Sequence, residues 1–157
     1  MVKGIKGLIF RHDDTKYFYM GMCSDLRGFL NLYQGGVTVT EYHNRWTAKK
    51  ELTEDFGYKV GESDRATNRE CKASRIKTLD TNYDKKRADA SEAAREKFLV
   101  ATLLLGADIC QYGGMSTQLR NDYAKGQQTY PATVQKAQSL LTAGKGRNPR
   151  CTDPTRS

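Results

Sequence analysis

Val37-Thr38-Val39-Thr40-Glu41-Tyr42-His43-Asn44-Arg45-Trp46 is the stretch on which the fold turns. Its first four residues alternate in the manner of a half-buried strand. Thr38 and Glu41, however, stand in the Ser/Thr-x-x-Glu arrangement of a capping box. The Thr38 hydroxyl accepts from the Glu41 N–H, and the Glu41 carboxylate reaches back to the Thr38 N–H. Behind this box Tyr42, Trp46, Leu52 and Phe56 fall on the inward side of a helix that stops at Gly57. Glu41 and Arg45 make a favourable i,i+4 pair on the wet side, where Glu51 and Asp55 also lie. With this segment read as a helix start, no strand signal remains. The expected fold class is all-α, a helical bundle of about five to six helices.

The flanking segments agree. Phe18, Met22, Leu26, Phe29 and Tyr33 recur at helical steps, with a start at Asp14 or Thr15, a stop at Gly35-Gly36 and a core role expected for the stripe. Ser91 is placed to cap a helix over 89–106, with Glu92 and Glu96 suited to its positive end. Within it, Phe98-Leu99-Val100-Ala101-Thr102-Leu103-Leu104-Leu105 is apolar nearly all round, as in a helix buried in a core or an interface. Tyr112, Met115, Leu119 and Tyr123 predict a helix over 112–125. Pro131 in a first turn predicts another over 131–143, with Val134, Ala137 and Leu141 on one face. Residues 58–88 are different: nine Lys/Arg against five Asp/Glu with weak periodicity. They read as a loop, a short helix near 66–79 and a mobile basic connector containing Lys85-Lys86-Arg87. From Lys145 onward the Gly/Pro/Arg composition predicts a disordered basic tail.

Composition narrows the function classes. The 157 residues carry 26 Lys+Arg against 18 Asp+Glu, a formal +8 concentrated in 58–88 and 131–157; such a charge run is usually a solvated face, with nucleic-acid contact as the functional alternative. Fifteen aromatics (nine Tyr, five Phe, one Trp) can anchor a core and argue against wholesale disorder. The longest apolar run, Phe98–Leu105 with Thr102 inside, falls far short of the ~20 residues a membrane span needs. The N-terminal residues lack the apolar core of a signal peptide, and a cytoplasmic protein with no membrane partner is expected.

The four cysteines, Cys23, Cys71, Cys110 and Cys151, are 48, 39 and 41 residues apart, with no Cys-x-x-Cys pair and no nearby His. Local paired ligands are what zinc modules use, so no metal site and no cofactor are expected, and the thiols read as four reduced cysteines. His12-Asp13-Asp14 fits a solvated capping turn better than a metal half-site, and His43 reads as a surface or partly packed side chain. No nucleophile stands beside a recognisable base. Gly144-Lys145-Gly146-Arg147 is too short for a phosphate loop. The expectation is that the chain is not an enzyme and has no catalytic residues.

Taken in order, the elements resemble the capsid region of a Gag protein from copia-type LTR retrotransposons, of the algal and diatom kind. The segment Phe29 to Trp46, with Gln34-Gly35 before the capping box and Glu41-Tyr42 and Trp46 within the helix, resembles the major homology region of capsids. Lys97 to Asp108 followed by Tyr112, then Leu119 to Gln127, Tyr130-Pro131 and Leu140-Leu141, continue the pattern. The resemblance covers roughly 16–145. It implies a structural network at Gln34, Gly35 and Glu41, with Tyr42 and Trp46 as apolar anchors. It implies three parts: 1–36, an N-terminal helical segment left from an N-terminal lobe; 37–144, a C-terminal-lobe-like domain with the basic connector at 58–88; and 145–157, the tail. The pattern departs from the family in lacking a zinc knuckle and in starting its homology region early, so a shortened Gag is expected.

The implied function is a structural capsid protein that self-associates into oligomers or a virus-like shell around RNA. Phe98, Leu99 and Leu103 are the candidate assembly contacts. Lys85, Lys86, Arg87, Lys145, Arg147 and Arg150 are the candidate nucleic-acid contacts. The alternatives are a nonspecific nucleic-acid-binding helical module, or a truncated Gag that restricts by co-assembly. The partners expected are a second copy of the chain, RNA and full-length Gag.

Overall fold

The computed structural model describes residues 17–144. It is an all-α bundle of six helices: α1 (Phe18–Leu30), α2 (Val39–Glu54), α3 (Asp64–Ala73), α4 (Tyr83–Leu105), α5 (Ile109–Ala124) and α6 (Val134–Ala143). No strand occurs among the described residues.

Local chemistry accounts for most of the helix starts. The Thr38–Glu41 capping box at the head of α2 is complete: the Glu41 N–H donates 3.2 Å to Thr38 Oγ1 and the Thr38 N–H donates 3.0 Å to Glu41 Oε2. Ser63, Asp108 and Thr133 cap α3, α5 and α6 through their side chains. Gly57, at φ +91°, turns the chain away after α2 in a conformation few other residues tolerate.

The core gathers Phe29 from α1, Val39, Tyr42 and Trp46 from α2, Val60 from the segment between α2 and α3, Leu99, Val100 and Leu103 from α4, then Ala107, Tyr112, Ala137 and Leu141. Phe29 and Trp46 meet with ring centroids 5.5 Å apart. α1 packs on α2, and the Thr53 hydroxyl donates to the Lys49 and Asp25 carbonyls, so this buried polar atom is satisfied. α3 packs on α4, where the buried side chains are small: Thr67 and Cys71 on one helix, Ala90 and Ala94 on the other. α6 rests on α4 and α2.

Several boundaries differ from the sequence reading. Residues 83–88 are not a connector; α4 already begins at Tyr83 and includes Lys85-Lys86-Arg87. Its first two turns are rich in Ala, Lys and Arg, all strong helix formers, and Ala90 and Ala94 bury against α3, which stabilises the extension. α5 starts at Ile109 because Asp108 provides the cap. α6 starts at Val134, so Pro131 precedes the helix and is not in its first turn. α1 stops at Leu30, and of its expected stripe only Phe29 is buried; Phe18 and Tyr33 are exposed. The start at Asp14 or Thr15, His12 and the tail from Lys145 lie outside the described residues. No helix among those described is long and apolar enough to cross a membrane.

The expectation of four reduced thiols is corrected at Cys110. Cys23 and Cys71 are free thiols, but Cys110 is disulfide-bonded. Disulfide pairing depends on Cα approach in space, not on sequence spacing.

Candidate functional site

α4 ends at Leu105, and like any helix it leaves its last carbonyls without intrahelical donors. Two of the carbonyls at this end find distant partners. The Leu103 carbonyl accepts from Tyr42 Oη at 2.9 Å. The Gly106 carbonyl accepts from the Gln34 N–H at 2.8 Å. The Gln34 side chain, only 1% exposed, completes the junction: its Oε1 accepts from the Asp108 N–H at 3.1 Å and its Nε2 donates to the Val37 carbonyl at 3.0 Å. Tyr33 Oη donates to Asp108 Oδ1, which also receives the Cys110 N–H. The α1–α2 segment is thereby latched onto the α4–α5 turn.

The latch explains two glycines. Gly106 touches the Tyr42 hydroxyl and the Leu32 carbonyl so closely that no β-carbon fits there. Gly35 has φ +62°, which lets the chain turn between Gln34 and the capping box. Burial drives the Tyr42 phenol far above its usual pKa, so it remains a donor. Glu41 is exposed and bonds to Thr38 within the capping box, not to Gln34; those bonds hold its carboxyl below the usual range. Trp46 is buried against Phe29, with the His43 ring stacked over it. Burial lowers the His43 pKa, which favours the neutral ring.

The candidate assembly contacts separate. Leu99 and Leu103 are core residues, buried by the bundle itself, and are corrected from interface to core. A helix advances 100° per residue, so an all-round apolar run presents some side chains inward and others outward. Phe98 is 41% exposed, and its ring lies over Gly61, where a β-carbon would collide with it. Leu105, at the end of the run, is 83% exposed, and Ile109, the first residue of α5, is 68% exposed. They border a recess of about 360 Å³ between α4, α5 and Tyr130.

The candidate nucleic-acid contacts also divide. Arg87 donates to Asn68 Oδ1 at 2.9 Å and pairs with Asp64 at 3.3 Å. Lys86 pairs with Asp80 at 3.3 Å. Lys85 is exposed, and Lys145, Arg147 and Arg150 lie outside the described residues. Sequence reasoning passed over a second row of cations, Arg65, Arg69 and Lys72, on one face of α3. Their i, i+4, i+7 spacing was the available signal. Arg69 Nη2 donates 3.0 Å to Tyr123 Oη, and Tyr123 meets Tyr130 edge to face.

Among the described residues no group of three or more His, Cys, Asp or Glu side chains could hold a metal ion. No known protein family, curated protein or solved structure matches this chain.

Proposed function

We propose that the chain is a capsid-like structural protein that self-associates and carries RNA, without catalysis and in the cytoplasm. The observation that supports self-association is the placing of exposed apolar side chains at two separate positions. One is the turn Tyr17-Phe18-Tyr19-Met20, exposed throughout; the other is Leu105 and Ile109 beside their recess. Exposed apolar surface of this kind marks interaction sites. Two different patches on one chain permit head-to-tail contacts, which close into rings or shells or continue as open assemblies. The Gln34 latch supports the likeness to a capsid homology region, in which the corresponding residues have a structural role.

Sedimentation velocity and negative-stain microscopy test the proposal. Dimers or larger species at micromolar protein, dispersed by Leu105→Glu with Ile109→Glu, are expected. A monomer persisting to millimolar concentration overturns it.

A further inference from the structure

Arg65, Arg69 and Lys72 line, with Asn68, a shallow recess of about 500 Å³ along α3. None of the three cations pairs with a carboxylate among the described residues. The acids of the same helix are engaged elsewhere, Glu70 with Lys97 at 2.7 Å and Asp64 with Arg87. The row continues without a break in chemistry. Arg69 is bonded to the Tyr123 hydroxyl, the Tyr123 ring stands 6.0 Å from that of Tyr130, and both tyrosines are partly exposed. Tyr130 is in turn a wall of the apolar recess that also includes Leu105, Ile109 and Arg120.

Cations without carboxylate partners, followed by two partly exposed aromatic rings, make a particular sequence of surfaces. It complements a polymer that repeats an anion and a flat ring. Single-stranded nucleic acid is such a polymer, because its phosphates seek cations and its unpaired bases stack on aromatic rings. A duplex hides its base faces and could use only the cations. We propose that this track binds single-stranded RNA, with phosphates on Arg65, Arg69 and Lys72, and bases on Tyr123 and Tyr130. Lys85, Lys86 and Arg87 are not part of the track. The inference deepens the RNA arm of the reading above and rests on it; the track ends at Tyr130, short of the Leu105 and Ile109 side chains assigned to self-association.

The test is fluorescence anisotropy on the full chain, kept below the concentration at which it associates. The probes are a labelled 12-nucleotide uridine-rich RNA, the DNA strand of matching sequence and a 12-base-pair RNA duplex. The variants are Arg65→Ala with Arg69→Ala and Lys72→Ala, the charge reversal Arg65→Glu with Lys72→Glu, Tyr130→Ala, and Lys85→Ala with Lys86→Ala as the contrast. Circular dichroism checks the helices, and the charge reversal involves only exposed side chains, so it supplies a folded variant if the triple one is disturbed. The expected result is that the single strand binds more tightly than the duplex. The triple variant should lower the slope of log affinity against log salt by about 2, near 0.7 per phosphate contact. Tyr130→Ala should weaken binding about 10-fold with the slope unchanged. Lys85→Ala with Lys86→Ala should bind as the natural chain does. Natural protein that binds no RNA at 50 mM salt overturns the RNA arm and the track together. RNA binding that survives the triple and reversed variants overturns the track alone. Tighter binding to the duplex or to the DNA strand overturns the assignment to single-stranded RNA.

Discussion

Tyr42, in the first turn of α2, donates its hydroxyl proton to the carbonyl of Leu103, 61 residues away in the last turn of α4. The bond caps one helix with the core residue of another. Its worth depends on burial, because a carbonyl left there without a partner cannot turn to water. Tyr42→Phe keeps the ring and removes only the donor. It should destabilise the chain by about 1–3 kcal/mol in urea unfolding with an unchanged denaturant slope.

The same tyrosine predicts an alkaline dependence. Its folded-state pKa is raised above the unfolded value of about 10. The unfolded phenol therefore ionises first, and the Tyr42 contribution, complete below that pH, is lost as pH rises beyond it. Above pH 10 the natural chain should lose stability faster than Tyr42→Phe, by up to about 1.4 kcal/mol per pH unit. Parallel curves of stability against pH for the two proteins would contradict this.

Gln34 uses both ends of its amide in the latch, so removing the amide orphans the Asp108 N–H and the Val37 carbonyl. Gln34→Leu, which preserves most of the volume, should cost about 2 kcal/mol or more. Hydrogen exchange should show the first turn of α5 opening more readily, since the Asp108 amide belongs to its cap. A loss of stability spread evenly over the protein would deny the latch its local role.

At the head of α2, Thr38→Ala removes the acceptor for the Glu41 N–H and should cost about 1 kcal/mol. Glu41 has a lowered pKa in the folded state, so its contribution is present above the unfolded carboxylate value and is lost as pH falls through the folded one. The stability difference between the natural chain and Glu41→Gln should therefore shrink below about pH 4. Thermal unfolding between pH 3 and 7 measures it.

Leu103 and Leu105 lie two residues apart on α4, one buried and the other almost fully exposed. Leu103→Ala should cost about 2–5 kcal/mol, the range for a buried leucine. Leu105→Ala should change monomer stability by less than about 0.5 kcal/mol. In sedimentation velocity the order should reverse, with Leu105→Ala weakening self-association more than its stability effect explains.

Helical class was readable before any tertiary contact. The capping box of α2, the apolar steps of 112–125 and the glycine stops are events within about four residues of one another. Their hydrogen bonds and periods are written in the local sequence, and α2 begins where its box places it. Residues 83–88 were harder, because their charges conceal that Ala90 and Ala94 have α3 to pack against. Of the residues expected to matter, Gln34, Tyr42 and Trp46 are buried, while Leu99 and Leu103 exchanged an interface role for the core. Periodicity specifies the face of a helix but not what that face meets.

Sequence by itself determined that this chain is helical, where its last three helices stop, and that its charge is positive and uneven. These follow from propensity, capping and composition, which act over a few residues or over none. The tertiary structure alone decided that Gln34 and Tyr42 complete the end of α4, that Leu105 faces outward, and that Arg69 reaches Tyr123. Those partners are separated by 54 to 74 residues, and contacts between distant segments are chosen by how the whole set of apolar faces packs together.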